Sequence, residues 1–566
     1  MFRDGRTVPA GTALETDVCI IGAGVVGLIL ARELTGRGHR LCLVESGGRE
    51  ADPTAQDLAR GAVVGEPTNE PITTRQRQLA GAANLWDSHL AADLIGFRCA
   101  PLDAIDFERR DAVPDSGWPF DRAHLDAYYA RAQPICGLGP YAYDAAAWAS
   151  DAAPVFPVDD RLINTTVWQF GRQDRFLQQY PSELEAAADV TVLLHTTVTE
   201  IEAHPSGASV SGVQVATLAG NAFAVRARVV ILATGGIENP RLLLLSDRVQ
   251  RNGLGNDRGL VGRYFMEHPF IRVGTLAPTD RRVFERASLY DVREQKGTVV
   301  MAKLSLTPET LRREGLLNSC MLFLPTHGTH KPEAIDSLKS ILRAALRGRR
   351  PDRLGPHLQE VGQGLDFVGV SILRKLTGRK KLFPYVDWGP GITEGAGWST
   401  WPDKTKRFSV FDAYLLTEQP PYHYNRVRLG AERDALGCRR LELEWRWDET
   451  SRRSILRTEQ LMAEGIRSRG FGRLRVRLDE GQPVLQYPAQ HHHLGTTRMH
   501  PDPARGVVDA DARVHGLANL FVGGGSVFPT GGYINPTLTI AALTLRLADH
   551  VRAHLERQMT VTTHAG

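Results

Sequence analysis

Three consecutive histidines, His491–His493, are the residues of this chain whose type best suits proton transfer. Histidine can act as a base near neutral pH because its unperturbed pKa lies close to that value. Oxidising an alcohol removes a hydroxyl proton and a carbon-bound hydride, so a base and an electron acceptor must flank one carbon. A histidine can also be a hydrogen-bonded packing residue. These residues therefore indicate alcohol oxidation only if the chain also binds a redox cofactor.

The amino-terminal part of the chain contains a pattern typical of a dinucleotide site. Residues 17–46 read as a buried strand, Gly22-x-Gly24-x-x-Gly27, a helix and a second strand. Gly22 permits a tight turn, Gly24 lets the backbone approach a pyrophosphate, and Gly27 lets the helix pack closely on the strand. Glu45 follows Gly27 by 18 residues, where an acid accepts hydrogen bonds from a ribose. The segment predicts a site for NAD or FAD.

A second strand with glycines, Arg228–Gly236, favours FAD over NAD. It is similar to the return strand that flavoproteins pack beside the dinucleotide, and Pro240 follows near the first turn of a predicted helix. A single nicotinamide site would not need this segment.

Asn535 and Pro536 are typical of a helix start, with asparagine as the cap and proline in the first turn. The apolar residues Ile540, Leu543, Leu547 and Val551 then follow at helical spacing. The segment therefore predicts a helix whose amino terminus lies close to Asn535.

The carboxyl-terminal part resembles the glucose-methanol-choline (GMC) oxidoreductases, whose motifs it contains in the same order. They are His492-x-x-Gly495-Thr496-x-x-Met499, Gly506-Val507-Val508-Asp509, the strand Leu520–Val522 and Asn535-Pro536-Thr537. Arg77–Trp86 resembles the family's flavin segment, Val261–Pro269 one of its loops, and Pro101–Trp118 a pattern of sugar-acting relatives. The resemblance extends over about residues 15–555 and is weakest between 275 and 410.

The resemblance implies FAD as the cofactor and a role for each of two residues. The family's catalytic histidine stands three positions before the Gly-Thr pair, so His492 would take the hydroxyl proton while the hydride passes to flavin N5. Asn535 would bind the substrate oxygen, and the positive end of its helix would face the flavin. The implied FAD contacts are Gly22, Gly24, Gly27, Glu45, Arg77, Gly81, Asn84, Leu85, Val198, Gly235, Gly524, Gly525, Pro536 and Thr537.

Two departures from the family pattern refine these expectations. Many relatives attach flavin covalently through a histidine in the flavin segment, whereas this chain has Leu85 just before Trp86. We therefore expect non-covalent FAD. Where many relatives have Asp-Ala-Ser before the last helix, this chain has Gly524-Gly525-Ser526. That sequence resembles the pyranose-oxidising branch and favours a sugar, glycoside or polyol as substrate.

The predicted fold class is α/β, with a Rossmann-type FAD-binding domain and an α+β substrate domain around a mixed or antiparallel sheet. The FAD-binding domain is expected in three segments, 14–100, 186–275 and 490–556. Residues 101–185 are expected to form a cap segment. Residues 276–489 are expected to form the substrate-binding domain, with a basic helical insertion at 335–381.

Composition excludes several other classes of protein. The 566 residues carry a net charge of only +4, so a nucleic-acid partner is not indicated. None of the six cysteines has C-x-x-C spacing, so a zinc site is not expected. Cys19 and Cys42 lie in apolar strand-like runs, so a disulfide framework is not expected either. Residues 1–31 show no signal peptide and no membrane span. A cytoplasmic enzyme is therefore expected, with oxygen or another carrier as electron acceptor.

The basic segment, residues 335–381, stands out against this nearly neutral background. From Lys339 to Lys381 there are 11 Lys and Arg against 3 Asp and Glu. Apolar residues at helical spacing predict two amphipathic helices. A lid, an oligomer contact, an anionic membrane surface and a simply solvated basic face all agree with this pattern.

Two other activities remain open from the sequence alone. A family member could catalyse lyase chemistry or oxidise a non-sugar alcohol, and a nicotinamide-dependent dehydrogenase would also need the glycine pattern. Net reduction of a bound flavin by an alcohol distinguishes the expected activity from lyase and nicotinamide chemistry.

Overall fold

The computed structural model of the chain describes residues 1–564, apart from 92–93, 327–331, 352–353, 366–367, 370–371, 373–375, 377–396, 480 and 484–489. Of the basic segment, residues 352–353, 366–367, 370–371, 373–375 and 377–381 lie outside the described residues. No helix in the described ranges is long and apolar enough to cross a membrane.

The strands fall into four sheets. In chain order they are β1 (Phe2–Asp4), β2 (Ala13–Ile21), β3 (Leu41–Val44), β4 (Gly61–Gly65), β5 (Ser88–Ala91), β6 (Leu94–Cys99), β7 (Ile163–Arg172), β8 (Val190–Leu194), β9 (Thr197–Ala203), β10 (Val210–Ala216), β11 (Ala222–Leu232), β12 (Phe270–Pro278), β13 (Arg293–Gln295), β14 (Thr298–Leu306), β15 (Ser319–Thr326), β16 (Val410–Thr417), β17 (Arg426–Arg433), β18 (Arg439–Trp445), β19 (Gly472–Val476), β20 (Leu478–Asp479), β21 (Gln482–Pro483) and β22 (Leu520–Val522).

The helices lie between these strands. They are α1 (Val25–Leu34), α2 (Pro53–Asp57), α3 (Ala104–Phe107), α4 (Arg122–Cys136), α5 (Tyr180–Ala186), α6 (Gly235–Leu245), α7 (Val283–Arg286), α8 (Pro308–Glu314), α9 (Pro332–Leu346), α10 (Leu354–Gln363), α11 (Lys404–Arg407), α12 (Glu449–Ser468) and α13 (Thr537–His564).

The first large sheet has the order β1-β8-β3-β2-β11-β10-β9, with β22 paired to β11. The pairs β1-β8, β8-β3, β3-β2, β2-β11 and β11-β22 are parallel. The pairs β11-β10 and β10-β9 are antiparallel. Residues 18–21 of β2 and all of β3 are buried, as expected for parallel strands covered on both faces. The predicted Rossmann-type sheet is therefore present.

The second large sheet has the order β19-β12-β16-β15-β14-β7-β6-β5, with β13 paired to β14, and its strand pairings are antiparallel. Together with the first sheet it confirms the predicted fold class. Its strands β5 and β6 follow the flavin segment directly. The chain therefore passes from one sheet to the other close to Trp86.

The last helix, α13, packs against α1 and α4. Leu543, Leu547 and Val551 of the predicted stripe are buried, and Ile540 lines the cavity described below. The helix begins at Thr537, and its first backbone bond runs from Ile540 N to the carbonyl of Pro536 at 2.8 Å. Pro536, rather than Asn535, is therefore the residue whose carbonyl accepts the first bond of the helix.

The glycine turn brings α1 so close to β2 that a side chain at one position would collide with the backbone. A Cβ added at Gly27 would lie 1.9 Å from the carbonyl oxygen of Gly22. A Cβ at Gly24 would have no neighbour nearer than 3.9 Å, and its φ of −76° suits any residue. Packing within the chain therefore requires glycine at position 27 but not at position 24.

We predict that Gly27→Ala destabilises the fold by about 1–3 kcal/mol or more, because α1 must move away from the turn. The matched variant Gly24→Ala should unfold at the temperature of the native protein but retain less FAD, because its methyl group projects into the cavity. Thermal denaturation and the flavin content of the purified proteins measure the two effects. Equal losses of stability would contradict this assignment.

Candidate active site

A cavity of about 600 Å³ joins the glycine turn to the histidine and asparagine motifs. Its wall includes residues of the expected FAD site and both members of the expected catalytic pair. The predicted residues that line it are Gly22, Gly24, Glu45, Arg77, Gly81, Leu85, Val198, Gly235, Gly524, Gly525, Pro536, Thr537, His492 and Asn535. Gly27 and Asn84 are not among the lining residues.

Gly27 and Asn84 do not line the cavity but support the elements that form its wall. Gly27 allows the close approach of α1, and Asn84 donates from Nδ2 to the carbonyls of Leu79 at 2.9 Å and Gly81 at 2.8 Å. The side chain of Asn84 therefore closes the short turn Gly81–Leu85. Its contribution to the cavity is structural.

The dinucleotide end of the cavity is built around Gly22 and Glu45. Gly22 has φ +101°, a left-handed conformation that favours glycine. The two carboxylate oxygens of Glu45 accept backbone bonds from Ala23 and Gly47, each at 2.9 Å. Burial raises the pKa of Glu45, while these backbone groups lower it. Each oxygen retains a lone pair that can accept a bond from a ribose hydroxyl.

The same wall carries an arginine cluster that the sequence did not indicate. Glu238, in the first turn of α6, pairs with Arg75, with Arg77 at 3.1 Å and with Arg241 at 3.2 Å. Arg241 also pairs with Asp434 at 2.7 Å. Three guanidinium groups thus face two carboxylates, and the surplus positive charge suits an anionic group. Only Arg77 was predicted, because the cluster joins distant parts of the chain.

The other end of the cavity depends on the segment from His492 to Met499, which is held on both edges by backbone bonds. On one side Leu494 and Met266 exchange bonds of 3.1 Å. On the other side Thr497 N donates to Ser526 at 2.8 Å and Met499 N donates to Val527 at 2.8 Å. These bonds fix the backbone that follows His492 and therefore the direction of the His492 side chain.

The imidazole of His492 lies between two polar side chains. Its Nε2 is 3.2 Å from Asn535 Nδ2, and its Nδ1 is 3.0 Å from Nδ1 of His268. His491 is exposed, and the ring of His493 lies 5.8 Å from that of Phe265. Of the three histidines, His492 is therefore the one whose ring contacts Asn535.

The contact between two Nδ1 atoms restricts which nitrogens carry protons. One of the two must donate, because two lone pairs would repel each other. The Nδ2 group of Asn535 can only donate, so Nε2 of His492 accepts from it and the proton of the neutral His492 ring lies on Nδ1. His268 then accepts at Nδ1, and His492 donates from Nδ1. We infer that Nε2 of His492 keeps a lone pair that faces Asn535 and the cavity.

Asn535 is 9% exposed, and its side chain is directed to His492 rather than to the helix. Its Oδ1, the atom that a capping bond would use, has no hydrogen-bond partner among the described residues. The expectation that Asn535 caps the helix is therefore not met. Oδ1 and the second hydrogen of Nδ2 therefore remain available to a ligand in the cavity.

Burial keeps the histidines of this site uncharged. It is the main cause that lowers the pKa of His492 well below its ordinary value, and His268 and Arg98 lower it further. Burial also lowers the pKa of His268 to about 3. Both rings are therefore neutral at neutral pH, and the His492 lone pair is available without a prior loss of a proton.

Glu267 and His268 were missed as site residues, although they lie in the loop Val261–Pro269 that resembles the family. Glu267 accepts the backbone N–H of His492 at 2.6 and 2.7 Å with its two oxygens. Burial raises its pKa to about 8, against the effect of the backbone N–H groups around it. The Glu-His pair in this loop was the signal that could have identified both residues.

Arg98 was also missed and lies in the cavity wall near His492. It is 8% exposed, donates to Gln490 Oε1 at 2.8 Å and stacks over Trp168 at 5.1 Å. Its Nη1 is buried and has no hydrogen-bond partner among the described residues. Burial lowers its pKa to about 10. Arg98 therefore presents a charged donor close to the proposed base.

Comparison with known proteins supports this picture of a flavin-dependent α/β oxidoreductase. Residues 17–251 match the family described as FAD dependent oxidoreductase, and residues 421–544 match the family described as GMC oxidoreductase. The chain is similar to the GMC oxidoreductases in its carboxyl-terminal part. It is an FAD-dependent enzyme that acts on CH–OH groups.

Two curated relatives and one solved structure are similar to the chain. 6'''-Hydroxyparomomycin C oxidase from Streptomyces lividus is 26% identical and covers 98% of this chain and 94% of its own length. The fructose dehydrogenase large subunit from Gluconobacter japonicus is 25% identical over 59% of this chain and 48% of its own length. A formate oxidase structure has a TM-score of 0.50 at 16% identity, covering 97% and 100% of the two chains. That structure supports the fold alone.

The cavity fits FAD on observations of this chain. A Cβ at Gly81 would lie 3.0 Å from Cα of Gly24, so glycines line the place where a pyrophosphate would approach the backbone. The surplus charge of the arginine cluster suits the diphosphate, and the lone pairs of Glu45 suit a ribose. At the other end, the unpartnered Oδ1 of Asn535 faces the region expected for the flavin and substrate.

The buried carboxyl of Glu267 generates a prediction for stability. Above about pH 4.5 the unfolded chain releases this proton, whereas the folded protein keeps it until about pH 8, so stability falls between these values. The loss is at most about 1.4 kcal/mol per pH unit. Glu267→Gln has no proton to release at this position. The thermal midpoint of the native protein should therefore fall relative to that of Glu267→Gln as the pH rises. Parallel curves for the two proteins would show that Glu267 is ionised throughout.

Proposed function

We propose that the protein oxidises an alcohol of a sugar, glycoside or polyol to a carbonyl, with His492 as the base and Asn535 as its partner. The contact between His492 Nε2 and Asn535 Nδ2 at 3.2 Å on the cavity wall carries the proposal. FAD, when bound, supplies the acceptor for the hydride. The residues of the chain bind the alcohol and receive its proton.

His492 receives the hydroxyl proton at Nε2. Its neutral state and the donation from its Nδ1 to His268 leave that lone pair available. As the ring gains charge, the His268 nitrogen that accepts its Nδ1–H stabilises the imidazolium. Asn535 can donate its second Nδ2 hydrogen to the substrate oxygen. Together the two residues hold the hydroxyl group in one orientation.

The proposed substrate class rests on the relatives and on the polarity of the cavity wall. By their names, the relatives described above act on 6'''-hydroxyparomomycin C and on fructose. Near His492 the wall offers the charged donor Arg98, the exposed imidazole of His491 and the amide of Gln490. A substrate with several hydroxyl groups can use these donors and acceptors. A panel of pyranoses, glycosides and polyols, assayed anaerobically for bleaching of the flavin, tests the class.

We predict that His492→Ala slows reduction of the flavin by about 10²–10⁴-fold while FAD stays bound. Asn535→Asp should slow it steeply as well. Its carboxylate would oppose the negative charge that develops on the substrate oxygen and would favour a protonated His492. Single-turnover reduction under anaerobic conditions measures both effects, with whichever panel member bleaches the native enzyme.

The matched control for this prediction is His423→Ala, the same substitution at an exposed histidine that does not line the cavity, which should reduce at a rate close to that of the native protein. Thermal midpoints should remain close in all three variants. A normal rate in His492→Ala would show that His492 is not the base and would assign that role to His491 or His493. A normal rate in Asn535→Asp would leave Asn535 without a catalytic role.

We also propose that FAD is bound without a covalent bond. Leu85 lines the cavity at the place where relatives carry the attaching histidine, and it is 38% exposed. A leucine side chain has no nucleophile for such a bond. Acid precipitation of the yellow protein should therefore release the flavin into the supernatant, and colour retained in the pellet would refute the proposal.

A further inference from the structure

The basic segment leaves a row of large apolar side chains in contact with solvent. Six of the thirteen exposed large apolar residues of the described chain lie between positions 342 and 376, and they are 51% to 88% exposed. They are Leu342, Leu346, Leu358, Leu365, Ile372 and Leu376. An exposed apolar surface of this extent indicates an interaction site.

The positions of these residues place them on defined faces of the helices. Leu342 and Leu346 are one helical turn apart near the end of α9. Leu358 lies in α10, and Leu365, Ile372 and Leu376 follow that helix and are likewise exposed. An interval of four keeps Leu342 and Leu346 on one face of α9.

The opposite faces of the two helices already have partners. α9 packs on α10, and Ser337 Oγ lies 2.8 Å from His357 Nδ1 between them. Ala334, Ser337 and Val368 are buried. The apolar row is therefore the part of this amphipathic pair that the rest of the described chain leaves uncovered.

Positive charge accompanies the apolar row. Arg343 and Arg347 adjoin Leu342 and Leu346 in sequence and are exposed, as are Arg349 and Arg350. These four arginines form no ion pair within the described ranges. The stretch 339–381 carries 11 basic residues against 3 acidic ones, so its charge is +8, whereas the remainder of the chain carries −4 of the net +4.

We propose that the basic segment docks the protein on an anionic lipid surface. Such a surface accepts apolar side chains at the acyl boundary and pairs with Lys and Arg at the headgroups, so it satisfies both features at once. A second copy of this chain would cover the leucines but would place two strongly positive faces against each other. Charge therefore favours the lipid surface over self-association.

Cosedimentation of the FAD-loaded protein with vesicles tests the proposal. The protein should bind phosphatidylcholine vesicles that contain phosphatidylglycerol, bind pure phosphatidylcholine poorly, and be released by salt. Arg343→Gln with Arg347→Gln should weaken partitioning by roughly fivefold for each arginine removed. Leu358→Ser with Leu365→Ser should weaken it by roughly tenfold.

The matched control is Leu218→Ser, which makes the same change at an exposed leucine outside the basic segment and should bind like the native protein. Failure to bind anionic vesicles would overturn the proposal. So would binding that is unchanged in the leucine variants, or a dimer in solution that these variants dissociate, which would assign the face to a second copy. Because the readout is binding, the result is independent of the proposed reaction.

Discussion

The backbone bonds on both edges of the segment from His492 to Met499 are the constraint on which the rest of the site depends. One edge is held by the loop that contains Met266, and the other by the residues from Ser526 to Val527. These partners come from separate parts of the chain. The position of His492 is therefore specified only when both large sheets have assembled, and it is then specified by main-chain groups that side-chain variation does not remove.

Close approach of backbones makes this assembly possible. A Cβ at Gly236 would lie 2.1 Å from the carbonyl oxygen of His493, so α6 can reach the histidine segment only through a glycine. The same condition holds at Gly27, where α1 meets the turn of β2. The helices that border the two ends of the cavity are thus placed by the absence of side chains at single positions.

Burial then gives the two ends of the cavity different electrostatics. Around Glu238, charged groups are buried together and stabilise one another, and the arginines exceed the carboxylates by one. Around His492, the buried groups His268, His492 and Glu267 have no oppositely charged partner and remain neutral, because a lone buried charge would be costly, and Arg98 is the charged donor at this end. One wall is therefore suited to hold an anion, and the other to receive a proton.

The sequence by itself determined the parts of this protein that depend on local pattern. The strand, glycine turn, helix and second strand that lead to Glu45 could be predicted because each requirement lies within 30 residues. His492 and Asn535 could be proposed from motif spacing. Tertiary structure alone decided that His268 meets His492 across 224 positions and that Glu267 holds its backbone. It also decided that the Asn535 side chain contacts His492 and does not cap the helix. Such contacts depend on how distant segments pack, which no local spacing encodes.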